Sequence, residues 1–163
     1  MGVIATIVKG LAGGALGTVV MTLGEKLEQR LTGRPDSYVP AKTAGRLFRL
    51  RRPDEESRAR NWAMHWGTGM VVGAVRALMA RNGWRGPGAS LTQFVLRVTT
   101  DETLENAVGS SKPPWKVPSD IVVIDLLHKA VYALATGAVV DRLVPDPRGH
   151  TRPRAALREP TAS

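Results

Sequence analysis

The sequence predicts an all-α integral membrane protein, a helical bundle of three transmembrane helices with amphipathic helices at its surface. Three observations lead there. Residues 3–24 hold one charge, Lys9, in 22 positions, enough to cross a hydrocarbon core of about 30 Å at about 1.5 Å per residue. The same run carries five glycines; each costs a soluble helix about 1 kcal/mol against alanine, whereas in lipid glycines let helix backbones approach. Finally, the formal net charge of +9 and the mean hydropathy of -0.11 average over a segregated chain, in which apolar windows alternate with basic connectors.

The 163 residues suit one domain, read as a transmembrane domain over residues 1–143 and a disordered basic tail over 144–163. The chain has no cysteine, which excludes disulfides, thiolate catalysis, thioether-bound haem and cysteine metal sites. A basic balance suits nucleic acid or an anionic membrane. With 5% aromatic residues and no zinc-finger, RNP-type or helix-turn-helix pattern, the membrane is favoured. The first run does not read as a cleaved signal peptide: no positive charge precedes it, Lys9 interrupts it, and no small-x-small site stands before Glu25.

Span one, residues 3–24, places Gly10, Gly13, Gly14 and Gly17 in two G-x-x-x-G pairs, expected to serve packing within the chain ahead of dimerisation. The connector 25–61 carries ten Lys/Arg. Its start, Glu25 to Arg30, extends the helix into water until Gly33-Arg34-Pro35-Asp36 breaks it. Residues 41–52 make an amphipathic helix, with Lys42, Arg46, Arg49 and Arg52 opposite Ala44, Leu47, Phe48 and Leu50. Residues 42–52 would lie on an anionic membrane surface or pack on the protein itself. Pro53-Asp54-Glu55-Glu56 is a helix-start signal. Span two, residues 62–80, has Trp62 and Trp66 near one boundary and Trp84 past the other, as interfacial indoles require. Residues 89–108 are too short an apolar run to cross and read as a surface or partly re-entrant helix. Gly109 to Pro118 forms a strap, and Ser119-Asp120 caps span three, residues 121–140.

The densest basic connector should face the cytoplasm. Three spans then put the N-terminus outside and the C-terminus in the cytoplasm of a multi-pass inner-membrane protein. Lys9, Arg76, Asp125, His128 and Lys129 fall at one depth as an intramembrane polar cluster, and Glu25 and His65 form a pair at the inner side. Asp125, the one acid within a span, would tie the cluster together. Helical periodicity gives three narrow stripes that should face inward. They are Asp125, His128, Lys129, Tyr132 and Thr136 in span three; His65, Thr68, Gly69, Val72, Gly73 and Arg76 in span two; and the glycines with Thr6 in span one. No H-x-x-x-H, H-E-x-x-H, G-x-S-x-G or phosphate-loop pattern occurs, so no metal, cofactor or catalytic group is expected.

Several pieces together resemble the uncharacterised bacterial inner-membrane family typified by YagU. They are the Lys9-Gly10 start of a glycine-rich span ending in Glu25, the proline-containing connector, His65-x3-Gly69-x3-Gly73, and His128-x3-Tyr132-x4-Gly137 after a Pro-Pro-Trp strap. The likeness covers about residues 3–143 and implies an inner-membrane helical protein without supplying a reaction. Three functions are compatible with the sequence. The first is a non-enzymatic accessory or scaffold component that meets a membrane-protein partner or a second copy through small-residue faces. The second is a small proton- or ion-linked transport protein using Asp125, His128 and Lys129. The third is a soluble nucleic-acid binder, which the apolar spans disfavour.

Overall fold

A computed structural model describes residues 1–147. Its order is α1 (Val3–Thr32), α2 (Val39–Leu47), α3 (Arg58–Arg81), α4 (Gly86–Ala107), a 3-10 turn (Pro114–Lys116) and α5 (Ser119–Leu143), with no strand among the described residues. The all-helical expectation is met. The number and extent of long helices differ from it.

Helix α1 runs on past the apolar stretch and stops at Gly33, whose left-handed φ of 75° lets its N–H return to the Gln29 carbonyl at 2.9 Å. Helix α3 begins at Ser57, whose hydroxyl accepts from the Arg60 N–H, and not at the acidic Asp54-Glu55-Glu56. Those acids stay in the loop because Asp54 binds Arg46 at 2.7 Å and Glu56 binds Lys42 at 3.2 Å, both on α2.

Helix α1 packs antiparallel to both α3 and α5 along its glycine faces. A Cβ on Gly10 would meet Ala74 Cα at 2.5 Å, and one on Gly73 would meet Gly14 Cα at 2.5 Å. On the neighbouring face, a Cβ on Gly13 would meet Val140 Cγ2 at 2.7 Å, while Gly17 abuts Thr136 and Gly69 abuts Thr18. The six glycines read as packing residues therefore close two helix seams inside the chain.

Helix α4 is a full partner in the bundle. It runs antiparallel to α5, with Ser90 against Gly137, Arg97 over the Tyr132 ring at 5.1 Å and Asp101 beside Lys129. This corrects the surface or re-entrant expectation for residues 89–108. The run Leu91, Val95, Leu96 is exposed, and the buried face is Ala89, Ser90, Gln93 and Arg97. The four long helices thus alternate in direction. Residues 3, 81, 86 and 143 share one end of the bundle, and residues 32, 58, 107 and 119 share the other, with α2. The expected placement of the N-terminus and the end of span three on opposite sides is not what the fold displays, because α4 carries the chain back along the bundle before α5 begins.

The interior is small and polar. Gly10, Gly14, Gly73, Thr6, Thr18, Ala77, Ala133, Tyr132, Gln93, Arg97 and Arg76 are buried. Large apolar side chains point outward: Ile4 is 80% exposed, Leu23 66%, Val71 61% and Leu134 61%. Helices α1 and α5 are long and apolar enough to cross a membrane, with mean hydropathy of 1.8 and 1.5 over their best windows and only 33% and 28% of those windows buried. Val144 packs with Ala77, Ala80 and Val140, so the packed domain reaches past residue 143. The remainder of the tail, residues 148–163, lies outside the described residues.

Candidate functional site

Three buried faces meet between α3, α4 and α5. Position spacing of three and four aligns Gly69, Val72, Gly73 and Arg76 on α3 and Lys129, Tyr132, Thr136 and Gly137 on α5, all buried. Helix α4 contributes Ser90, Gln93, Arg97 and Asp101. The result is a file of polar side chains running most of the bundle's length.

At the chain-end side, Arg76 has no exposed surface and holds Asp141 through one guanidinium nitrogen at 2.9 and 2.8 Å. Asp141 also accepts from the Gly86 N–H at 2.9 Å. Arg85 donates to the carbonyls of Asp141, Val144 and Pro145, and Lys9 donates to the Leu143 carbonyl at 2.8 Å. These cations cap the last carbonyls of α5, which have no partner within the helix.

At mid-bundle, the Tyr132 hydroxyl donates to the Gly69 carbonyl at 2.5 Å. Gln93 and Thr136 are its side-chain neighbours. The Gln93 amide, Thr136 Oγ1, Arg97 Nη1 and two of Arg76's nitrogens are buried without a protein partner. Buried polar groups of this kind are ordinarily completed by water.

Towards the α2 end, Asp101 binds Arg97 at 2.7 Å and Lys129 at 3.6 Å, and Lys129 binds Asp125 at 2.7 Å. Asp101 is the sheltered acid, 13% exposed against 48% for Asp125. A cleft beside it is lined by His65, Thr68, Arg97, Asp101 and Glu105 with Pro40 and Thr43 of α2. Its free space of about 30 Å³ holds a water or two, not an organic ligand.

The sequence-derived cluster is divided by this geometry. Lys9 and Arg76 stand at the chain-end side with Asp141. Asp125, His128 and Lys129 stand at the α2 side, because α5 runs opposite to the expected direction. Asp125 does not tie the five together: Asp141 holds Arg76 of the first group, while in the second Lys129 hydrogen-bonds Asp125 at 2.7 Å, as its helical spacing predicts, with Asp101 at 3.6 Å. Glu25 and His65 both stand towards the α2 end of the bundle; Glu25 accepts from Gln29 at 3.2 Å, and His65 Nε2 lies 3.4 Å from the Thr22 hydroxyl. His128 is on the same side, half-buried on α5. Among the described residues, no three His, Cys, Asp or Glu side chains converge as a metal would require.

Ser90, Gln93, Arg97 and Asp101 escaped the sequence reading. Their signal was available: they fall at i, i+3, i+7 and i+11, the same stripe that α5 shows. No protein-family model matches this chain, and neither does any curated protein or solved structure.

Proposed function

We propose that this protein is a non-enzymatic accessory or scaffold component embedded in the bacterial inner membrane. One observation carries the proposal: large apolar side chains cover the outside of the bundle while glycine, threonine and paired charges fill it. In water such a surface would be an aggregation hazard; in hydrocarbon it is the stable arrangement, since intramembrane charges turn inward and pair. The same reasoning extends from α1 and α5 to α3 and α4, whose Arg76 and Arg97 are buried and paired. The likeness to the YagU-typified family belongs to this proposal.

In this proposal all four long helices cross, so both ends of the bundle domain lie on one side. Connectors 25–61 and 108–118 carry ten and two Lys/Arg, against two in 81–88 and five in 142–163. The α2 side is therefore assigned to the cytoplasm by the positive-inside rule. The intramolecular seams occupy the small-residue faces, so a partner helix or second copy would dock on the outer faces, such as Leu16, Val20 and Leu23 of α1.

Alkaline carbonate extraction tests the embedding: the protein should stay with the membrane pellet. Recovery in the soluble fraction at low salt would refute it and favour the nucleic-acid binder. Co-purification of one stable partner in mild detergent tests the scaffold role.

A second reading, proton- or ion-linked transport, draws on the polar file and on the Glu105 carboxyl beside Asp101. Its test is a pH-dependent flux in liposomes that Asp101→Asn abolishes.

A further inference from the structure

The loop between α2 and α3 carries a second feature, whose charges are unequally matched. Lys42, Arg46 and Arg60 each have an acid, in Glu56, Asp54 and Glu55 at 3.2, 2.7 and 3.4 Å. That uses all three acids of the loop. Arg49, Arg51 and Arg52 are exposed and have no acid partner among the described residues.

The loop is held in shape. The Leu50 N–H donates to the Gly45 carbonyl at 2.8 Å, and Arg60 donates to the carbonyls of Arg52 and Arg51 at 2.8 and 3.1 Å. Gly45 abuts the Pro53 carbonyl so closely that a Cβ has no room. Arg49 and Arg52 take left-handed φ values of 51° and 57°, unusual for arginine. Arg51 and Arg52 line an open recess with Arg60 and Glu55.

Apolar side chains interleave with these arginines. Phe48 is 65% exposed, and Leu47 and Leu50 are each 39% exposed. Trp62 stands two residues beyond Arg60, half exposed and stacked on Trp66 at 6.2 Å. Indoles favour the headgroup level of a bilayer, and Arg60 ties the arginine loop within a helical turn of that level.

We propose that Arg49, Arg51 and Arg52 form a docking site for the phosphate headgroups of anionic phospholipid, with Phe48 and Leu50 entering the acyl boundary beside them. The proposal rests on the membrane embedding above and deepens it by naming the partner. It also moves the lipid contact from the whole 42–52 segment to the loop, since Lys42 and Arg46 are engaged by acids and α2 buries Ala41, Thr43, Ala44 and Gly45 against the protein. An arginine near an anionic surface contributes roughly a fivefold preference, so three give on the order of a hundredfold at low salt.

The test uses the full chain, carrying Trp84→Phe and Trp115→Phe, reconstituted in bilayers of mixed composition. Brominated phosphatidylglycerol in a phosphatidylcholine background should quench Trp62 and Trp66 more strongly than brominated phosphatidylcholine at equal mole fraction. The preference should fall at least tenfold in the triple variant Arg49→Gln, Arg51→Gln, Arg52→Gln, and in 0.5 M salt, where the screening length drops from about 10 Å at 0.1 M to about 4 Å. The pair Lys42→Gln, Arg46→Gln should keep most of it. Circular dichroism of each variant confirms that the bundle has formed. Equal quenching by both lipids, or a preference unchanged in the triple variant, overturns the headgroup site while leaving the embedding intact. Indoles quenched by neither lipid overturn the embedding itself.

Discussion

Gly73→Ala probes the seam between α1 and α3. The added Cβ would lie 2.5 Å from the Gly10 carbonyl oxygen, 2.5 Å from Gly14 Cα and 2.6 Å from Gly14 N. All three are backbone atoms, so no side-chain rotation relieves the contact. Reaching even a 3.0 Å separation requires the helices to part by about 0.5 Å, and an ordinary contact requires about 1 Å. A gap of that size forfeits about a quarter to a half of each dispersion contact along the seam. Overpacking typically costs about 1–3 kcal/mol, while alanine returns up to about 1 kcal/mol of helix propensity. The expected net loss is about 1 kcal/mol and at most about 2 kcal/mol. Gly24→Ala is the internal control, because nothing lies within 4 Å of its Cβ; it should be neutral or slightly stabilising. Unfolding in dodecyl maltoside titrated with dodecyl sulfate, followed by circular dichroism, measures both. Equal midpoints for the two variants would refute the close-approach argument.

Asp141→Asn should destabilise the bundle by about 3–5 kcal/mol in the same titration, because it strips a fully buried Arg76 of its acid. Asp125→Asn, with a half-exposed carboxyl, should cost under about 1 kcal/mol. Tyr132→Phe removes the buried bond to the Gly69 carbonyl and should cost about 1–3 kcal/mol.

The inward faces of α1, α3 and α5 were legible because their small residues recur at helical spacing. Thr6, Gly10, Gly14 and Gly17, then Gly69, Gly73 and Arg76, then Lys129, Tyr132 and Thr136 are all buried. Helix α4 was not legible as a bundle member for a physical reason. Leu91, Val95 and Leu96 mark its outer face, and its inner face of Ser90, Gln93, Arg97 and Asp101 looks like a solvated one when burial is assumed to follow hydropathy. That one omission had two consequences. With α4 left out of the bundle, the direction of α5 inverts, which carries Asp125, His128 and Lys129 to the end occupied by Lys9 and Arg76. The pairing of Asp125 with Lys129 was legible from its helical spacing, but the acids Asp141 beside Arg76 and Asp101 beside Arg97 lay at the margin of span three and on the helix that was left outside. The 53–56 acids misled for a related reason: they meet the α2 cations instead of the first turn of α3.

Helix α1 is translated before α3 and α5, and its two notched sides are matched by those later elements. Gly10 and Gly14 wait for α3, and Gly13 and Gly17 wait for α5, whose final turn is also where Lys9 finds its carbonyl. One seam of α1 can therefore close as soon as α3 is made, while the other stays open until α5 has left the ribosome.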